Sequence, residues 1–446
     1  MKRIITVLLC AVLLVTGIPM SVSAAPEWPE APEVKAEGAI LMDADSGTVL
    51  YGKNIDAQYG PASITKILTA LLIIENCGLD DELTFSHRAV YDVEENSSNA
   101  GYDEGDKVTV RTALYAMLLQ SANEAANALA EHCSGTIEAF VEKMNLYAQS
   151  LGCRNTHFDN PSGLNGDTHY VSAYDYARIC REAFKNETFR LIDGTTSYDL
   201  PPNTRNPKGL TIYTHHGMLK RSSGEYYKGA VGGKTGYTVK AGNTLVTFAE
   251  RENLRLITVI LNGKRTHYED TRALLDYGFD HFKSVKVHEY ENEFDTVYDI
   301  LDVTGTGVDG ADILHNDENC VITLPMGYDV NDTDTEISYD VGDNAPENAI
   351  ARITYRFGSR DVGSEYITGD FSSVTTDVYI HKIENTADDT TPGEKAEKIA
   401  SSLPVWVIIA APTLAAVILI LIVLFIVKKI RSGGGYPGYR NGRGRL

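Results

Sequence analysis

Apolar extended runs at two distant places in the chain constrain its fold more than any other feature. "AILMDADSGTVLYGK", residues 39–53, holds two short extended runs around Asp45-Ser46-Gly47, a hairpin signal. Extended runs return at Gly229–Lys234, Thr244–Glu250 and Leu254–Leu261. Between them Ile64–Ile74, Arg111–Leu119, Glu124–His132, Ile137–Leu151 and Ser172–Phe184 carry helical periodicity. One more amphipathic segment, Tyr268–Phe282, follows the last run. Strand formers at both ends with helices between predict an antiparallel sheet assembled from the ends and a helical cluster inserted into it. The result is an α+β domain over residues 36–282. No internal repeat is visible.

From Ser284 on, Asp, Thr, Val, Tyr and Gly dominate, with alternating stretches such as "CVITLPMGYDV" and "ARITYRF". This texture predicts a small all-β domain over 284–383, followed by a polar linker over 384–404. Val405–Val427 then runs 23 residues without a charge. As a helix it spans about 35 Å, enough for one C-terminal transmembrane helix. Trp406 stands where an interfacial aromatic belongs, and Lys428, Lys429 and Arg431 follow. The positive-inside rule therefore places the basic tail, 428–446, in the cytoplasm and the rest outside. At the other end, Lys2-Arg3, the apolar run Ile4–Val15 and small residues around Val22-Ser23-Ala24 predict a cleaved signal peptide over 1–24.

Charge and cysteine usage mainly exclude. The formal net charge is −21, but neither the signal nor the tail holds an acid. The exported part thus has 32 basic against 61 acidic residues, −29, which argues against a nucleic-acid partner. Cys77, Cys133, Cys153, Cys180 and Cys320 survive signal removal, an odd number with no tight spacing. That pattern is neither a disulfide framework nor a metal site, and it leaves room for one or two bridges of unassigned pairing.

Three segments could carry chemistry. In "GPASITKILTALLI", residues 60–73, Ser63 and Lys66 share a helical face in apolar surroundings. A lysine held there loses hydration and its pKa falls, so it can act as a base for the neighbouring serine. The bland alternative is a lysine whose stem lies on the apolar face while its head reaches water. In "LLQSANEAANALAE", Ser121-Ala122-Asn123 lies between two helices, where a hydroxyl and an amide can project into a cleft. Ser121 with Glu124 also matches a capping box. In "KGAVGGKTGYTVKAGNTL", Lys234, Thr235 and Gly236 sit on a late, glycine-rich strand. An edge strand offers ladder hydrogen bonds to an extended peptide, and Lys234 with Thr235 could grip a carboxylate. The bland alternative is a surface strand ending in a turn.

Ser-x-x-Lys, Ser-x-Asn and Lys-Thr-Gly in this order are the motif set of penicillin-binding proteins and class A β-lactamases. The chain resembles the low-molecular-weight penicillin-binding proteins, specifically the D-alanyl-D-alanine carboxypeptidases. "NTHFDNPSGLN", "HYVSAYDYARI", "GGKTGYTVKAGNTLV" and "TRALLDYGFDHF" extend the likeness, which covers roughly residues 36–385. The resemblance implies a penicillin-recognising, serine transpeptidase/β-lactamase-like fold, and it implies the following roles. Ser63 is the nucleophile on a peptidoglycan stem peptide and Lys66 the general base. Ser121 relays a proton and Asn123 positions Lys66 and substrate. Lys234, Thr235 and Gly236 bind the terminal carboxylate, and the backbone N–H groups of Ser63 and Tyr237 form the oxyanion hole. β-Lactams are implied as covalent inhibitors, and no cofactor or metal is implied.

Tyr237 follows the triplet where some members carry histidine. His267, in "GKRTHYEDT", stands about where some carry an arginine that supports the carboxylate site, leaving Arg265 or Lys264 as substitutes. His215-His216 reads as a pair without partners, a loop feature rather than a ligand, and His157 and His169 read as structural. The acidic run "NDTDTE" lacks the glycine and distal glutamate of a calcium loop. A class A β-lactamase also needs a deacylating glutamate about three dozen residues after the second motif, and none lies between Glu142 and Glu182. A third reading, a wall-peptide binder or sensor without turnover, would be favoured by loss of Ser63 or Lys66, and both are present.

Overall fold

Strands β1 (Gly38–Asp43), β2 (Val49–Lys53), β3 (Ala230–Thr238), β4 (Gly242–Arg251) and β5 (Leu254–Gly263) form one antiparallel sheet of order β2-β1-β5-β4-β3. This computed structural model describes residues 27–288, 303–304, 314–315, 317, 319–342, 345–369 and 379–380. The chain's early hairpin and its late meander thus meet in one sheet, with Ala39 opposite Ile260 and Met42 opposite Ile257.

The apolar runs are continuous because both faces of the sheet are covered. Successive strand residues point to opposite faces. Ile40, Met42, Val246, Phe248 and Val259 face the helical cluster, while Ala39, Leu41, Leu245, Ala249 and Ile260 face the last helix. The cluster includes α1 (Lys66–Asn76), α2 (Val110–Leu119), α3 (Asn123–Ser134), α4 (Ile137–Ser150), α5 (Ala173–Lys185) and α6 (Glu187–Asp193), with a short helical turn at His87–Tyr91. Helix α7 (His267–His281) closes the other face through Leu274, Leu275 and Tyr277.

The long helices match their sequence periodicity to within a few residues. Periodicity did not mark α6, whose seven residues are too few to establish a repeat. It also missed the small hairpins Glu82–Thr84 with Lys107–Thr109 and Ser197–Leu200 with Leu210–Tyr213. Ser172 caps α5 and Thr136 caps α4, each accepting a backbone N–H three residues on.

The expected capping box at α3 does not form. Ala122 is the N-cap, and Ser121 stands in the left-handed region at φ +61°. Glu124 instead accepts the Ala100 N–H at 2.7 Å. Tertiary partners outbid the local ones here, because both side chains are buried and their polar atoms had other groups within reach.

Past α7, the described part is β apart from short 3-10 turns such as Val330–Asp332. Strand β6 (Phe282–Lys286) pairs with β7 (Val321–Pro325), and β8 (Asp334–Ser338), β9 (Ala349–Phe357) and β10 (Arg360–Gly369) form an antiparallel meander. The hairpin at Asp45 touches it: Thr323 donates to Asp43 Oδ2 at 2.8 Å and Thr48 donates to the Val362 carbonyl at 2.6 Å. The expected signal peptide, linker, membrane span and basic tail all lie outside the described residues. Among the described residues no helix is long and apolar enough to cross a membrane.

Candidate active site

A helix start, a helix–helix turn and an edge strand converge at one point. The chain enters α1 through a 3-10 turn, Ala62–Thr65, so Ser63 lies one turn ahead of the helix that begins with Lys66. Eight residues of α1, Lys66–Ile73, are buried, which plants the lysine at the base of the cleft. Its ammonium donates to Ser63 Oγ at 3.2 Å, to Asn123 Oδ1 at 2.7 Å and to the Ser162 carbonyl. Burial drives this amine well below the ordinary lysine range, and the charge on Lys234 adds to the effect. Glu124 pulls the other way.

The second lysine faces the first across the cleft. Lys234, 2% exposed on β3, donates to Ser121 Oγ at 3.2 Å and to the Thr235 carbonyl at 2.9 Å. Burial lowers it to about 8, opposed by Asp193. Asp193, at the end of α6, accepts the Gly233 N–H behind the strand, and burial pushes its carboxyl up to about 7. Lys234 therefore keeps its charge at neutral pH.

The backbone around Ser63 is strained and then clamped. Ala62 stands at φ +50°, a region costly for a residue with a Cβ. Thr244 of β4 donates to the Pro61 carbonyl at 2.8 Å, and Tyr176 of α5 donates to the Ile64 carbonyl. Two glycines let other backbones approach. A Cβ on Gly163 would lie 1.9 Å from the Ala62 carbonyl oxygen, and one on Gly236 would lie 2.8 Å from the Ser63 nitrogen. Gly236 thus brings β3 against the Ser63 backbone, and the side chain of the next residue, Tyr237, is 64% exposed.

All four motif residues expected to act on the substrate bond (Ser63, Lys66, Ser121 and Asn123) gather here, together with Lys234 and Thr235. Sequence reasoning missed three contributors. The Ser162 carbonyl holds Lys66 because Asn160 Oδ1 accepts the N–H groups of Ser162, Gly163 and Leu164 at 2.7–3.2 Å and folds that loop inward. "DNPSG" is a turn signal, but it does not tell where a carbonyl points. Asp193 and Tyr176 come from helices far away in sequence and carry no local signal.

Two of the histidines, His169 and His216, are buried and hydrogen-bonded. His169 accepts the Asp159 N–H on Nδ1, leaving Nε2–H for Thr65 Oγ1 at 3.1 Å. His216, far from lacking partners, lies between Met218 N and the Val246 carbonyl and Thr247 hydroxyl. Of the candidates for the missing arginine, Lys264 pairs with Glu37 at 3.2 Å on the surface, and Arg265 contributes its backbone N–H to Asn243.

Residues 25–265 match the family model described as D-alanyl-D-alanine carboxypeptidase, peptidase S11. The chain belongs to this family. D-alanyl-D-alanine carboxypeptidase DacF of Bacillus subtilis is 32% identical over 355 residues, covering 78% of this chain and 87% of that one. DacA of Escherichia coli is 31% identical over 66% of this chain and 73% of its own length. Among solved structures, penicillin binding protein 6B from Escherichia coli aligns at 26% identity and TM-score 0.57, covering 77% of this chain and 98% of that one. A mutant of the Streptomyces K15 DD-transpeptidase aligns at 33% identity and TM-score 0.52 over 56% and 99%.

Proposed function

We propose that this carboxypeptidase removes the terminal D-alanine from peptidoglycan stem pentapeptides through an acyl-enzyme on Ser63. The observation that carries the reading is the environment of Lys66. Two fixed carbonyl groups, on Asn123 and Ser162, take two of its hydrogens. In the neutral amine that burial favours, the one direction left is the lone pair, and it faces Ser63 Oγ.

Ser63 Oγ attacks the carbonyl between the two D-alanines as Lys66 takes its proton. The backbone N–H groups of Ser63 and Tyr237 stabilise the oxyanion. Ser121, bridged to Lys234, passes a proton to the leaving amine, and Asn123 holds Lys66 and the substrate amide. Lys234, Thr235 and the Gly236 backbone grip the carboxylate. Water then releases the acyl group from Ser63. β-Lactams acylate the same oxygen.

A β-lactamase reading gains no support from the loop at 159–164. Its carboxylate, Asp159, is engaged by Thr168 and His157. We further propose that the chain is exported by its N-terminal signal and tethered by residues 405–427 with the basic tail cytoplasmic. The support is the hydropathy and charge of those segments, and membrane fractionation with protease protection of the ectodomain tests it.

The deciding assay is D-alanine release from a pentapeptide, run beside labelling by a fluorescent penicillin. Wild-type protein is expected to do both, and Ser63→Ala neither, with release down at least 10³-fold. Labelling without release would instead favour a binder, and rapid penicillin turnover a β-lactamase.

A further inference from the structure

Helices α1 and α3 lie side by side and run in the same direction. Their first residues, Lys66 and Asn123, are joined at 2.7 Å in the active site. Their far ends hold the cysteines that spacing left unassigned. Cys77 follows the last residue of α1, and Cys133 is the penultimate residue of α3. At 1.5 Å per residue both stand about 15 Å from the catalytic ends.

Two residues bracket this far end from either side. Lys143 Nζ donates to Asn76 Oδ1 at 3.0 Å and reaches Cys133 Sγ at 4.0 Å. Asp81 Oδ2 accepts the Gly78 N–H at 3.0 Å and lies 3.9 Å from His132 Nε2. The chain neighbours of each cysteine are thus tied through common partners. Lys143 thus joins the residue before Cys77 to the Cys133 sulfur itself, and Asp81 joins the residue after Cys77 to the one before Cys133. Both are half-buried rather than sealed, so reagents can reach them. The other described cysteines have different settings: Cys180 and Cys320 are buried, and Cys153 faces the Asp175 carbonyl at 3.6 Å.

We propose that Cys77 and Cys133 form an intramolecular disulfide under oxidising conditions, closing the far end of the helix pair whose near end carries Lys66 and Asn123. The oxidant is an external disulfide. Cys133, beside the Lys143 ammonium, gives its proton to solvent and attacks one sulfur of that disulfide, and the departing thiolate is protonated. The Cys77 sulfur then attacks Cys133 Sγ of the mixed disulfide, its own proton going to water, and the second thiolate leaves and is protonated. Two protein thiols are oxidised and one external disulfide is reduced to two thiols. Burial holds the Cys77 thiol up at about 12, so little of it is thiolate at neutral pH.

The test uses the purified full chain. It is incubated with oxidised glutathione, alkylated with iodoacetamide, digested and mapped by mass spectrometry. The expected product is a Cys77–Cys133 linked peptide that dithiothreitol splits. Its formation should raise the Tm by roughly 5–10 °C and leave kcat/KM within about twofold, because the two helices are already in contact. Cys77→Ser and Cys133→Ser should each abolish the link and the oxidant-dependent rise. Full alkylation of both residues after oxidation, stable glutathione adducts on both, or a link to another cysteine would overturn the proposal. The mapping of wild-type protein decides this even where a serine variant folds poorly.

Discussion

At the residue scale, two buried lysines do different work because their surroundings differ. Lys66 is surrounded by carbonyl acceptors and held well below its ordinary range, as a base needs. Lys234 is held at about 8, with Asp193 countering burial, so it keeps a charge for a carboxylate. The free-enzyme quantity kcat/KM should therefore fall as pH rises past about 8, as Lys234 loses its proton and the grip weakens. A pH profile of D-alanine release checks this, and a flat profile to pH 10 would contradict it. Gly236→Ala tests the close approach of β3. The new Cβ would sit 2.4 Å from Thr244 Oγ1 and 2.8 Å from Ser63 N, so one backbone must shift. Because small misplacements in an active site are costly, kcat/KM is expected to drop about 10²-fold or more. Ser63, Lys66, Ser121, Asn123 and Lys234 were legible as types in a fixed order. Ser162 was not, since it acts through its backbone, and any side chain on a similar turn would serve.

At the element scale, α1 combines a rigid core helix with the catalytic lysine. Ile67, Leu68 and Leu71 are fully buried, each worth roughly 1.5–3 kcal/mol of burial. Leu71→Ala should lower unfolding stability by about 2–5 kcal/mol in urea denaturation, through lost transfer energy and an unfilled cavity. The helix starts where β4 grips Pro61 and α5 grips Ile64, so the position of Ser63 is set by elements distant in sequence. Periodicity located α1 but could not register this dependence. The failed capping box at Ser121 teaches the same point. A local pattern was present, yet the buried hydroxyl faces Lys234 and the carboxylate faces Ala100.

At the scale of the whole molecule, Asp43 links the sheet to the β-rich part. Burial raises its carboxyl to about 6, against the bonds it accepts from Thr323 and Asp45. Its folded pKa exceeds the unfolded value near 3.8, so its contribution is fully present below that value and is lost as pH rises through 6. The loss amounts to about 3 kcal/mol. Asp43→Asn should remove this penalty, so that the variant gains about 2–3 kcal/mol on wild type between pH 4 and pH 7.5, measured by urea unfolding at both. An unchanged difference would refute the assignment. His169 and His216 act with the opposite sign. Burial holds them at about 4 and about 3, so their neutral forms stabilise above pH 6.5 and that contribution is lost as pH falls.

The order of the long elements and the three motifs follow from periodicity and residue type, which are properties of the chain alone. Which polar atom meets which did not follow. Burial leaves each such atom to the partners that folding brings within about 3 Å, and those partners are hundreds of residues apart for Thr323 and Asp43, and fifty-seven apart for Lys66 and Asn123. The sequence therefore determined the chemistry available to this protein, and the tertiary structure decided the geometry in which a buried amine becomes a base.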